Sequence, residues 1–231
     1  MAIVMLGVDI GQRVDPSAIA VAELVPPPLV ERHSPGSVRV DMVTPDRPSV
    51  WEIRYLARLP LNTPYPKVAQ RVAEVAEGAA RQKLGVSLRM RIDITGVGRP
   101  VAELIVGALK ERKVDCPVEF VTFTFGDHLT TVAGGERRLG KAYLVSRLQS
   151  LLQTQRLKLP RTAEAVELGK ELLNYEIKVD PDGDAKFGAF KVGSHDDLVT
   201  ALGLAVLQEV NTQPSMQFDR WGKQIGVATG R

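Results

Sequence analysis

Cysteine is nearly absent: Cys116 stands alone in 231 residues, which excludes an intramolecular disulfide and a cysteine-built zinc site. A single reduced thiol fits an intracellular, cytoplasmic protein. No stretch reaches the ~18 uninterrupted apolar residues of a membrane span. The opening "MAIVMLGVDIG" is too short for a signal peptide and lacks its charged start. There is no internal repeat and no low-complexity segment. Neither sign of charge is in large excess: 30 Lys+Arg against 27 Asp+Glu leaves a net +3, which permits a nucleic-acid partner without demanding one.

The length suits one substantial α/β domain, expected over residues 1–212, with a tail at 213–231 that shows no periodicity and reads as mobile or as a partner contact. "AIVMLGVD" (2–9) is a continuous apolar run, the pattern of a strand covered on both faces. "AIAVAELV" (18–25) reads as its antiparallel partner, a weak strand is expected at 38–43, and "WEIRYLARL" (51–59) reads as a third strand of this layer. Helices are expected at 66–82, 100–112, 139–154, 162–174 and 196–209, with strands at 87–94 and 117–125 and a hairpin turning at Asp-Gly within 174–190. Antiparallel strands followed by strands alternating with helices imply a mixed sheet flanked by helices.

Asp9 ends the first strand in "GVDIGQ", and Asp93 ends another in "RIDITGVG", each before a small glycine-bearing turn. Such an aspartate ordinarily shapes its turn, but strand ends are also where open α/β sheets expose reactive side chains. On neighbouring strands the two carboxylates would stand about 5 Å apart. That spacing suits a shared divalent cation, and hard oxygen donors favour Mg2+ or Mn2+. In two-metal sites the ions lie about 3.5–4 Å apart. Asp196 and Asp197, in "SHDDLVTALGLAV", fall in the first turn of the last helix. One acid there gains ~0.3–1 kcal/mol from the helix dipole and suffices as a cap. The second repels the first. With Asp9 and Asp93, the pair completes an expected cation cage.

"GVDIGQRVDPSAIAVAE", "IDITGVGRPVAEL" and "SHDDLVTALGLAV", in that order, resemble the nuclease part of phage large terminase subunits, in the RNase H-like (retroviral integrase) superfamily. The likeness spans roughly residues 6 to 210. It implies an RNase H-like fold and a metal-dependent DNA endonuclease acting on double-stranded DNA in phage packaging, inside a bacterial host. Asp9, Asp93 and the Asp196/Asp197 pair would then be catalytic metal ligands, for two ions of Mg2+ or Mn2+, and His195 an auxiliary that binds metal or orients substrate. A full terminase large subunit carries an ATPase motor before its nuclease, and none fits ahead of Asp9. The expectation is therefore a free-standing nuclease working with a separate ATPase and other packaging proteins, or an excised domain.

Residues 137–161 hold Arg137, Arg138, Lys141, Arg147, Arg156, Lys158 and Arg161 without one Asp or Glu. A basic helix is ordinarily just a solvated face, but a nuclease needs positive charge beside its acids to approach a polyanion. Arg137, Arg138, Lys141 and Arg147 are the expected DNA contacts. Aromatic residues are few (5%), and with Tyr143 alone in this segment backbone recognition is expected over base stacking. "GERRLGKA" (135–142) meets G-x-x-x-x-G-K but has Ala142 where a nucleotide loop needs Ser or Thr. Two rivals remain: an actin-like-fold sugar or acetate kinase, because "VDIG" and "DITGVG" also resemble its phosphate loops, and a non-catalytic packaging component of the same fold.

Overall fold

The computed structural model describes residues 3–11, 15–32, 42–82, 87–96, 98–126, 128–132, 136–179, 185–188, 195–207, 215–218 and 224–228. In chain order the elements are β1 (Ile3–Asp9), β2 (Ala18–Val25), β3 (Leu29–Arg32), β4 (Met42–Pro45), β5 (Val50–Arg58), α1 (Tyr65–Gln82), β6 (Ser87–Asp93), α2 (Gly98–Glu111) and β7 (Val118–Thr124). Then follow β8 (Leu129–Thr131), β9 (Arg137–Gly140), α3 (Lys141–Gln153), β10 (Leu157–Lys158), α4 (Ala163–Asn174), β11 (Glu176–Val179), β12 (Ala185–Gly188), α5 (Asp197–Ala205), β13 (Ser215–Phe218) and β14 (Gln224–Ala228).

β1 lies inside an eight-stranded sheet of order β10-β5-β2-β1-β6-β7-β9-β8. β1, β2 and β5 run antiparallel in sequence, whereas β6, β7 and β9 continue parallel to β1. This is the mixed sheet expected from the pattern. Along β1 the side chains alternate between two cores, as a strand's two-residue period requires. Ile3 and Met5 join a core with α3, α4 and α5, while Val4, Leu6 and Val8 join one with α1 and α2. Each fully buried Leu, Ile or Val contributes roughly 1.5–3 kcal/mol.

α5 is buried over its whole length, so its sequence is apolar all round instead of striped. It lies so close to β1 that a Cβ at Gly7 would sit 1.9 Å from the Ala201 carbonyl oxygen, and so close to α3 that one at Gly203 would strike Leu144.

Several boundaries differ from the sequence reading. The helix expected from 139 starts at Lys141, because Arg137–Gly140 is instead the edge-region strand β9 paired to β7 and β8. Those residues spend their backbone in the sheet, so the G-x-x-x-x-G-K match forms no phosphate-cradling loop. Residues 38–41 of the expected weak strand lie outside the described residues, and the described strand there is β4. The expected hairpin is β11–β12, with its turn outside the described residues. The tail, read as lacking periodicity, carries the antiparallel pair β13–β14. The last helix, expected to 209, ends at Ala205 with Val206 as its C-cap; residues 208 and 209 lie outside the described residues.

Candidate active site

β1 and β6 are parallel neighbours with Val8 abreast of Ile92, which brings the next residues, Asp9 and Asp93, side by side at the ends of their strands. Val8 and Ile92 belong to the α1/α2 core, so alternation turns both aspartates toward the α5 layer. Thr95 fixes Asp93: its N–H (2.8 Å) and hydroxyl (2.5 Å) both donate to Oδ1, while its Oγ1 accepts from the Phe123 N–H of β7 at 2.9 Å. Among the described residues Asp93 Oδ2 accepts no hydrogen bond. Beyond Asp9 the Gly11 N–H donates to Ser17 Oγ at 3.1 Å, and a Cβ at Gly11 would lie 2.0 Å from the Asp15 carbonyl oxygen. Only glycine lets the chain fold back there.

The start of α5 decides between capping and ligation for the adjacent acids. Asp196 occupies the N-cap position yet makes no side-chain cap hydrogen bond. The first-turn N–H groups of Leu198 and Val199 donate instead to Glu171 Oε2 of α4, at 3.0 and 3.1 Å. Glu171, and not the adjacent aspartates, therefore caps this helix. Asp196 Oδ2 lies 3.3 Å from Lys141 Nζ. Asp197, 2% exposed, stands 3.3 Å from Arg58 Nε and 3.9 Å from His195 Nδ1, and among the described residues its Oδ2 accepts no hydrogen bond. Arg58 also pairs with Glu171.

The acids sense each other. Burial pushes Asp9 well above the ordinary carboxylate range, and repulsion from Asp93, Asp197 and Asp196 adds to it, against the pull of Lys141. Asp93 is raised mainly by burial and by Asp196, with the Thr95 hydrogen bonds and Lys141 opposing. Asp197 is pushed up to about 6 by burial, with Arg58 and His195 pulling it down. The Tyr175 hydroxyl is raised too, by burial and by Asp196 and Asp9. Crowded, desolvated carboxylates of this kind are a chemical environment for a divalent cation.

Asp15 joins this neighbourhood although the sequence reading overlooked it. Asp15, His195 and Asp197 each offer a ligand atom within 4.8 Å of the others, and Asp15 Oδ1 is 3.5 Å from His195 Nδ1. Asp197 Oδ2, ion-paired with Arg58 but without a hydrogen bond among the described residues, and His195 Nδ1, likewise without one, fit a cation. Two carboxylates with an imidazole lean from Mg2+ toward Mn2+ and later transition metals. The Asp-Pro turn six residues past Asp9 was the available signal. Nothing local marked Arg58 or Glu171.

The expected DNA contacts separate. Lys141 stands among the acids, with its Nζ 5.6 Å from the Phe123 ring centre. Arg138 is exposed on β9. Arg137 pairs with Glu119 at 3.2 Å, beside the buried Arg91. Arg147 turns inward, its Nε donating to the Val206 carbonyl at 3.4 Å, at the end of α5 away from the acids.

No protein-family model and no curated protein sequence matches this chain. Solved structures do. The large terminase nuclease of thermophilic phage G20c is 18% identical, with TM-score 0.55, over 90% of this chain and 82% of that one. The human cytomegalovirus terminase nuclease domain is 14% identical, with TM-score 0.50, over 89% and 82%. The chain thus has an RNase H-like fold, with its strand-end acids where β1, β6 and α5 converge. Within that class, its architecture is that of terminase nuclease domains.

Proposed function

We propose that this chain is a divalent-metal-dependent DNA endonuclease that hydrolyses phosphodiester bonds, in the manner of a terminase nuclease acting on double-stranded DNA during phage packaging. It would work in the bacterial cytoplasm with a separate ATPase. The observation that carries this reading is the meeting of Asp9, Asp93, Asp196 and Asp197, where burial and mutual repulsion raise the proton affinity of Asp9. A structural role would not gather buried like charges at such a cost.

A divalent cation, when bound, supplies Lewis-acid polarisation of a phosphoryl oxygen and acidifies a water near neutral pH. Asp9, Asp93 and Asp196 would hold one ion, and Asp197 with Asp15 and His195 a second. Thr95 keeps Asp93 Oδ1 engaged and so presents Oδ2 in one orientation. Lys141, beside Asp196, brings positive charge to a phosphate approaching the acids. Arg138, exposed on the neighbouring strand, would contact the DNA backbone.

Supercoiled plasmid incubated with Mn2+ tests the reading. The wild-type chain should nick or linearise it, and Asp9→Asn or Asp93→Asn should abolish cleavage while the circular dichroism spectrum stays unchanged. Undiminished nicking by either folded variant would refute the assignment.

A further inference from the structure

We infer that Glu171 is a positioning residue that caps α5 from a different helix and thereby keeps Asp196 and Asp197 available to bind a cation; this rests on the nuclease reading of those two aspartates. The first N–H groups of any α-helix lack partners inside the helix, and an aspartate at the N-cap is among the strongest natural acceptors for them. Asp196 sits at that position and declines the task. Glu171 takes it, with one oxygen receiving both the Leu198 and Val199 N–H groups. Its other oxygen is held by Arg58 Nη2, so the carboxylate is fixed from two sides and is 6% exposed.

The same Arg58 presents Nε to Asp197 Oδ2 at 3.3 Å. Glu171 therefore does two things through geometry alone. It satisfies the helix end, removing the reason for Asp196 to fold back onto the amides two and three residues on. It also anchors the guanidinium that stands beside Asp197. Without Glu171, the nearest acceptor for the bare amides is the Asp196 carboxylate, and a carboxylate turned onto its own helix is withdrawn from Asp9 and Asp93. Adjacent acids at a helix start can serve as ligands here because a third acid, remote in sequence, does the capping.

The test compares the wild-type chain with Glu171→Ala and Glu171→Gln. Gln retains an oxygen able to accept both amides but turns a donor NH2 toward Arg58; Ala retains neither acceptor. Free Mn2+ measured by electron paramagnetic resonance reports binding without reference to catalysis, and plasmid nicking reports the Mn2+ half-saturation and the KM for DNA separately. Glu171→Ala should weaken Mn2+ binding about 10–100-fold, the usual consequence of losing a group that orients metal ligands. Its KM for DNA should not move, and Glu171→Gln, which keeps the cap but not the Arg58 pair, should recover part of the affinity. Mn2+ binding by folded Glu171→Ala equal to wild type would overturn the inference. Should Glu171→Ala not fold, amide hydrogen exchange in the wild-type protein decides: slow exchange at Leu198 and Val199 supports the cap, and exchange as fast as in an open helix end overturns it. A wild-type chain that binds no Mn2+ would remove the nuclease reading and this inference together, whereas normal wild-type binding with an unaffected Ala variant removes only the inference.

Discussion

Thr95 grips Asp93 with two hydrogen bonds to a single oxygen, and the same hydroxyl takes the Phe123 N–H, tying the acid to the neighbouring strand. Substitution Thr95→Val keeps the shape but removes the hydroxyl from both ends of this link. The backbone N–H bond to Asp93 remains. Stability should fall by about 1–2 kcal/mol, and Mn2+ affinity by about 10–100-fold as Asp93 gains freedom. Calorimetry and a Mn2+ titration check the two numbers; an unchanged affinity would mean that Asp93 is held by something else.

The pH dependence of stability has a definite sign. An aspartate in the unfolded chain titrates near 3.8, whereas Asp197 in the folded protein holds its proton up to about 6. Between those values the native state binds more protons, so this contribution favours folding below the lower value and is lost as pH rises through the upper one. Its size is at most about 3 kcal/mol, and Asp9 shifts in the same direction. In EDTA, the stability of wild type relative to Asp197→Asn should decline from pH 4 to pH 7. Added Mn2+ should restore it at pH 7. A difference that grows with pH would show Asp197 to be stabilised as an anion by Arg58.

Arg138 and Arg147 should respond oppositely, since one is exposed on β9 and the other donates to the Val206 carbonyl. Arg138→Ala should weaken duplex binding and lower the slope of log affinity against log salt by about 1. Arg147→Ala should leave that slope alone and lower the melting temperature. Fluorescence anisotropy in EDTA across a salt series, with a thermal scan, separates them.

Gly7→Ala adds one methyl group where the Ala201 carbonyl oxygen is 1.9 Å away and the Ala205 nitrogen 2.6 Å. Both obstacles are backbone of a fully buried helix and cannot rotate aside. A loss of about 3 kcal/mol or more is expected, with any folded remainder impaired in Mn2+ binding because α5 carries Asp196 and Asp197. A chemical denaturation curve tests it.

Much of this architecture was readable along the chain. The apolar run of β1, the alternation in β6 and the single aspartate closing each strand are local signals, set by a two-residue period and a turn. They placed Asp9 and Asp93 at strand ends before any pairing was known. Short local signals mislead: the last two of β9's four residues read as the start of the following helix, and β10 has only two residues. Arg138 and Arg147 share one basic run, yet the first is exposed on a strand while the second, on a helix, donates to the Val206 carbonyl.

The adjacency of Asp196 and Asp197 is written in the order of residues, and so is their place at the head of an apolar helix. Their freedom from capping is not. It depends on Glu171, 27 residues before Leu198, and on Arg58, a further 113 residues before Glu171. Hydrogen-bond acceptance, burial and repulsion act over a few ångströms of space regardless of separation along the chain, so packing α4 and β5 against α5 is what releases the aspartate pair from capping.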